Sequence, residues 1–499
     1  MKFRSRIILC ALVFSLQIAN VTAQGDNYWS WNFNTPSTLL GGAVTGGSAG
    51  PSAVYYNPAL IDQENIPNFS VSANLISIQF FKATNIAGEG HDAEQFVFKI
   101  QPRFVSYTLA SKNEKLGVEL AVLSPVADEI RYTGEYTNEL DVIDRTSGEE
   151  VYSGYLNYAR KYDDTWVGGG LSYRFSEQFY IGMSGFLSAK RLNYQYMVEA
   201  KAYQEGDSVE VNGNSEASYI ASTGFQEEFK YWYLGLIFKL GSQYRTSNNR
   251  FSVGVNFTLP DLPLLGKGDV RKEIGRANIY NDLESEFVSN ENVTGVEEDI
   301  NVRIKSPFSA ALGMQYVSAS KNSTLSFNME YFHKIDPYAI IESSYQARWL
   351  PAYLSNELSN NDFLSYSSEA AAITNFAVGF KQIISPSFYM LAGFRTDFTS
   401  SVAGNEVFIG NTFAVNQIQI DKYHITLGPV WKFLRYNIVT GLQYTIGRNN
   451  NAYQIINYSD PVEYNASTDQ SLVGIGKTNA AAAVNELSMF FGLSIDLNP

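Results

Sequence analysis

Long stretches of this chain alternate apolar residues with small or polar ones, over lengths that a soluble sheet strand rarely reaches. In "RFSVGVNFTLP", Phe251, Val253, Val255, Phe257 and Leu259 alternate with Ser252, Gly254, Asn256 and Thr258. Near the C-terminus, Leu487, Met489, Phe491, Leu493, Ile495 and Leu497 alternate with Glu486, Ser488, Gly492, Ser494 and Asp496, and Phe490 breaks the series. A period of two gives a strand one apolar and one polar face. Segments such as "FYIGMSGFLSAKRLNYQYMV" run well past the roughly five or six residues usual in sandwiches. Two-faced strands suit a soluble sandwich, which packs its apolar faces together, or a membrane barrel, which turns them to lipid.

The order of the connections separates the two. Strands are expected near 68–82, 94–110, 114–132, 163–175, 177–200, 215–241, 249–259, 300–319, 321–337, 371–384, 386–400, 418–433, 434–448 and 482–497. Short connections fall at "SKN", Ser176, "SQYRTSNN", Ser320, Ser385 and Leu434. Between them come long ones over 133–162, 260–299, 338–370 and 449–481, with shorter members at 83–93, 201–214 and 401–417. Tight turns on one rim, long loops on the other and an even count of about 14 strands describe an outer-membrane barrel. A closed ring also pairs every backbone group in lipid without helices. The expected fold is therefore all-β, a transmembrane antiparallel β-barrel.

The first residues fit an exported chain. Lys2, Arg4 and Arg6 precede the apolar "IILCALVFSLQI", and Val21 and Ala23 are small residues before a cut at Gln24. This is a signal-peptide layout over 1–23, too short to span a membrane. Cys10 lies inside it and is the only cysteine, so disulfides, thiolate metal sites and a thiol nucleophile are excluded from the mature chain. The formal charge is −14, or about −17 once the three leader cations are removed, which argues against nucleic acid or an anionic surface as a partner. Aromatics make up 14% of residues, yet no long apolar run follows residue 23, as extended two-faced strands require.

Ahead of the first strand lies a different kind of segment. Gly41, Gly42, Gly46, Gly47 and Gly50 allow tight bends, and "AVYYNPALI" follows with apolar bulk around Pro58. Residues 24–67 read as a compact plug in the lumen of a barrel formed by 68–499, where polar wall residues satisfy irregular backbone. "NPALI" at this position resembles the asparagine-proline-alanine motif of the FadL/TodX outer-membrane transporters of hydrophobic compounds. "PNFSVSANLISI" and "SPFSAALGMQYVSASKNSTLSFNMEYFHKIDPY" fit the same pattern. The resemblance implies a 14-stranded barrel with an N-terminal hatch, passive uptake of long-chain fatty acids or aromatic hydrocarbons, and no cofactor. It implies that Asn57, Pro58 and Ala59 take part in hatch gating. It also implies a lateral exit at a kinked third strand, where Pro125 in "AVLSPVADEI" cannot donate a ladder hydrogen bond. The alternative places Pro125 at the outer end of its strand, where it interrupts nothing.

Alternation puts Lys99, Arg103, Lys190, Lys334 and Arg395 on inward faces, as carboxylate contacts for a ligand or as members of internal ion pairs with acids such as Glu330 and Asp397. The apolar "PDLPLLGKG" (260–268) and "PYAIIESSYQARWLPAYL" (337–354) are expected in outer loops, as a capture surface for a greasy ligand or packed together as a cap. "GGSAG" around Ser48 matches a nucleophile pattern in the wrong context. His91 falls in an expected loop, His333 near a strand end and His424 within a strand with no evident serine partner, so no catalytic site is expected. The expected partners are a hydrophobic ligand and outer-membrane lipid, with the barrel able to stand as a monomer. A general porin and a surface adhesin are the alternative functions.

Overall fold

The structure is a computed structural model. It describes residues 27–30, 32–61, 68–109, 113–211, 213–356, 358–401, 408–409, 412–415 and 418–496. The expected signal peptide and the terminal Leu497-Asn498-Pro499 lie outside these residues.

The main sheet begins with β1 (Phe69–Thr84), β2 (Ala93–Leu109), β3 (Leu116–Leu140), β4 (Glu150–Arg174) and β5 (Phe179–Tyr203). Next come β6 (Ala221–Arg245), β7 (Phe251–Thr258), β8 (Leu262–Ala277) and β9 (Glu291–Asn301). β10 (Ser309–Val317), β11 (Ser323–Phe332), β12 (Ile373–Ser385), β13 (Phe388–Asp397), β14 (Asp421–Lys432), β15 (Tyr436–Ala452) and β16 (Ala480–Ile495) complete the circuit. β16 pairs with β1 from Phe69↔Ile495 to Thr84↔Ala481, which closes an antiparallel barrel of 14 strands, β1–β7 and β10–β16.

β8 and β9 stand outside that ring. β6 pairs with β7 through Lys239–Arg245 and with β8 through Ser222–Leu236, so the β8–β9 hairpin extends the wall on one side. Stretches expected as long loops, 133–162 and 260–299, are therefore mostly strand. The cause is an inversion of polarity along one strand. In the first part of β4, Tyr152, Leu156, Tyr158 and Tyr162 are buried on the inside, while Ser153, Asn157, Lys161 and Asp163 face out. Further along, Val167, Leu171 and Tyr173 point outward and are exposed, as a lipid-facing strand requires. The first part stands clear of the lipid and carries its apolar face inward.

The stretch 337–354 packs inward, with Ile340, Ile341, Leu350 and Leu354 buried, so it caps the barrel and offers no capture surface. Leu262, Leu264 and Leu265 of 260–268 are exposed on β8, paired to β6 at the lipid level, and so belong to the wall and not to an outer loop.

Residues 27–61 form short helices (Thr35–Leu39, Ala53–Tyr56) and 3-10 turns (Gly50–Ser52, Pro58–Leu60), almost entirely buried. Their backbone bonds to side chains from many strands of the ring. Ser72 accepts from Thr35 N at 2.9 Å, and Glu119 accepts from Val54 N at 3.2 Å. Ser172 donates to the Ile61 carbonyl at 2.6 Å, Gln243 and Ser252 to Gly46 at 3.0 and 2.8 Å, and Thr426 to Leu39 at 2.9 Å. Irregular backbone is thus satisfied by polar inward-facing side chains.

Candidate functional site: a cavity beside an unpaired stretch of wall

Asn57 is fully buried and makes three hydrogen bonds. Its Oδ1 accepts from Ala59 N at 3.1 Å, which caps the Pro58–Leu60 turn, and its Nδ2 donates to the carbonyls of Thr45 (2.9 Å) and Ser242 (3.0 Å). The wall makes room for it with glycines. Gly182 on β5 pairs with Gly241 on β6, and a Cβ at Gly182 would sit 2.3 Å from the Pro58 carbonyl carbon. A Cβ at Gly241 would sit 2.1 Å from Asn57 Oδ1, and one at Gly254 2.7 Å from Asn57 Nδ2. The asparagine-proline-alanine step rests where the wall has no side chains.

Beyond it lies a cavity of about 100 Å³ between the N-terminal segment and the wall. Its apolar lining includes Tyr28, Tyr55, Trp166, Ile237, Phe332 and Tyr338. Charged and hydroxyl side chains also enter it, among them Asp164, Lys190, Lys239, Lys305 and Glu330. Asp164 is taken up by Trp166 Nε1 (2.9 Å) and Ser188 (2.8 Å), and Glu330 by Trp29 Nε1 (2.8 Å) and Ser309 (2.6 Å). Lys190 is paired with Asp261 and reaches Ser306 at 3.1 Å. Lys239 differs. Its ammonium donates to Thr258 at 2.8 Å and lies 4.3 Å from the Tyr55 ring centroid, and among the described residues no carboxylate comes within ion-pair distance.

Pro125 forms part of the same lining. β2 and β3 pair only from Phe104↔Leu123 to Leu109↔Val118; no pairing continues between the rest of β2 and Ser124–Leu140. At the same point β3 slips in register against β4, between Leu123 and Val126. Pro102 and Pro125 lie just past the last paired residues, Phe104 and Leu123, and neither has an N–H to donate. Pro125 lies within β3, not at its end. Higher up, Gln95 bridges the strands by accepting from Arg131 N at 3.0 Å. Phe96, Phe98 and Ile100 are exposed on the outer face of β2, so the β2 side of the unpaired stretch is apolar outside, whereas β3 turns Glu129 and Arg131 outward across the gap.

The remaining expected contacts are dispersed. Lys99 faces inward on β2, half-buried. Arg103 is buried with its guanidinium 5.9 Å from the Phe490 ring centroid. Arg395 holds the N-terminal segment, donating to the carbonyls of Trp29 and Ser30 (both 3.1 Å), while Asp397 accepts from Trp29 N at 2.9 Å. Lys334 departs from expectation: β11 ends at Phe332, so Lys334 is exposed beyond it and paired with Asp336 at 2.7 Å. Of the five, only Lys190 lines the cavity.

Lys239 and Pro102 were not singled out from the sequence. The alternation in "LGLIFKLGSQ" opposes Lys239 to Phe238 and Leu240 and could have found it. Pro102 needed the β2–β3 register. Ser48 Oγ receives Gln315 Nε2 at 2.7 Å, and buried His424 lies against Thr445 (2.8 Å) and Asp397 (3.7 Å).

No family model matches the chain, and no curated protein matches it by sequence. Solved structures do. The chain has the fold of the FadL-type outer-membrane transporters. A Pseudomonas aeruginosa FadL homologue aligns over 96% of this chain and 100% of its own, with a TM-score of 0.51 and 12% identity. The Ralstonia pickettii toluene transporter TbuX aligns over 93% of this chain and 98% of its own, with a TM-score of 0.51 and 11% identity. The P. putida toluene transporter TodX covers 93% and 99%, with a TM-score of 0.51 and 12% identity. At 11–12% identity these neighbours establish the fold of the chain.

Proposed function

We propose that this protein is a passive transporter carrying hydrophobic small molecules, long-chain fatty acids or aromatic hydrocarbons, across the outer membrane. Residues 24–67 act as its hatch, with Asn57, Pro58 and Ala59 as the element that shifts on release. A ligand enters from the outside, rests in the aromatic cavity and leaves sideways into lipid through the unpaired stretch between β2 and β3. The observation that carries this reading is the shared wall: Pro125 lines the cavity and sits where ladder pairing stops. A ligand moving there passes from aromatic rings to lipid without crossing water. Lys239 offers a charge-assisted contact for a carboxylate.

Uptake of labelled oleate and toluene by expressing cells tests this. Both should enter faster than into cells without the protein, and Lys239→Met should slow oleate while leaving toluene unchanged. Uptake of neither ligand above background refutes the reading.

A further inference from the structure

The outer face of the raised wall changes chemistry within one residue row. Register aligns Thr165, Ala189, Leu234 and Leu265 across β4, β5, β6 and β8, and outward residues such as Val167, Leu187 and Leu240 beyond that row are apolar. The adjoining row reads Asp163, Arg191, Trp232 and Lys267, and the one after it Lys161, Asn193, Lys230 and Asp269. Trp232 is 43% exposed and sits where a membrane interface places its aromatic belt.

Asn193 has Lys161 and Lys230 as its two direct cross-strand neighbours, and Arg191 lies two residues away on the same face. Directly opposed side chains in a sheet start about 5 Å apart, so three cations and an amide surround one small patch. Arg191 has Asp163 as its direct cross-strand neighbour. Lys161 meets Glu129 at 3.8 Å and Lys230 meets Glu228 at 3.1 Å, with both lysines exposed and both glutamates half-buried, and surface pairs of this kind hold weakly. Asp163 and Asp269 also face the patch, as do the paired Glu129 and Glu228; against them stand Lys161, Arg191, Lys230 and, at the edge, Lys267.

We propose that Lys161, Arg191, Asn193 and Lys230 bind the phosphate of an anionic lipid in the outer leaflet. Its acyl chains lie along Leu187, Leu234 and Leu265, and its phosphate meets the cations directly above. A soluble anion would gain only the second contact. The assignment rests on the outer-membrane placement and is independent of what the cavity carries.

Native mass spectrometry of the full barrel in detergent tests it, with bisphosphorylated lipid A, dephosphorylated lipid A or inorganic phosphate as probes. Wild type should retain the bisphosphorylated lipid. The K161Q/R191Q/K230Q variant should bind it on the order of a hundredfold more weakly, at roughly fivefold per cation near a lipid surface. A K115Q/R174Q/K321Q variant, neutralised at the opposite rim, should bind as wild type does. Heat-modifiable gel mobility reports that each barrel is folded. Equal binding by the first variant, equal binding of dephosphorylated lipid, or displacement of the lipid by inorganic phosphate overturns the proposal. A folded barrel that transports but retains no lipid sinks this inference alone, whereas failure to reach the outer membrane sinks the placement beneath it.

Discussion

Replacing Gly182 with alanine should undock the N-terminal segment while leaving the barrel intact. The added Cβ would lie 2.3 Å from the Pro58 carbonyl carbon, 2.4 Å from its oxygen and 2.5 Å from Ala59 N. All three are backbone atoms, so no rotamer change relieves the clash. Ordinary contact begins near 3.4 Å, and the turn must therefore retreat by about 1 Å. That movement stretches the Asn57 bonds to Thr45 and Ser242, now 2.9 and 3.0 Å. Overpacking of this kind costs about 1–3 kcal/mol, and one or two kcal/mol shifts a two-state ratio roughly 5- to 30-fold. β5 is paired along its whole length to β4 and β6, so the wall holds and the segment moves. Planar-bilayer conductance and protease cleavage before residue 61 are the assays. Both should rise in Gly182→Ala. In the control Gly185→Ala the Cβ meets only the Phe238 side chain, at 3.2 Å, and neither should change. Wild-type conductance and protection in Gly182→Ala would refute the docking argument.

Other outcomes follow from the same contacts. Asn57→Ala removes three hydrogen bonds and strands two carbonyls, so it should loosen the segment by about 1–3 kcal/mol, read as faster hydrogen exchange at Ala59. Glu463, in the outer loops, accepts from Asp144 N and Tyr280 N, both at 2.8 Å, and burial raises its pKa from 4.5 to about 7 despite those two bonds. A raised carboxylate pKa stabilises the loops fully below about 4.5, and that contribution is lost as pH rises through about 7. Exchange at the Asp144 and Tyr280 amides should therefore accelerate between pH 5 and pH 8, roughly over that titration, and Glu463→Gln should flatten the profile. Replacing both Pro102 and Pro125 with threonine supplies two backbone N–H donors beside the gap and should slow ligand uptake; unchanged uptake would mean that the prolines do not hold the gap open.

The barrel was legible because lipid imposes one rule on every outward residue, and β7 and β16 obey it almost without exception. The raised wall was not. Its outward Ser153, Asn157 and Lys161 meet water and its inward tyrosines meet the cap, so the period of two persists with its polarity reversed and reads as loop. Lys334 was misplaced for a simpler reason: alternation was carried two residues past Phe332, the end of β11. The Asn57-Pro58-Ala59 motif could be seen in one line of sequence, but its seat could not. Gly182, Gly241 and Gly254 look like weak points in three separate strands until register brings them together. Arg395 faces inward as alternation requires; that its donors serve the carbonyls of Trp29 and Ser30 is a long-range contact that no local pattern carries.

The central claim is that a ligand leaves the cavity between β2 and β3, and bridging that gap tests it most directly. Gln101 and Val126 lie just past the last paired residues of β2 and β3, and the only cysteine in the sequence is Cys10, within the expected leader. A Gln101→Cys/Val126→Cys pair joined by a short bifunctional thiol reagent spans the opening with the hatch untouched. The account predicts that cross-linking abolishes uptake of oleate and toluene, that a cleavable linker restores it on reduction, and that single-cysteine controls are unaffected. Full uptake through the bridged barrel would place the exit elsewhere and contradict the account.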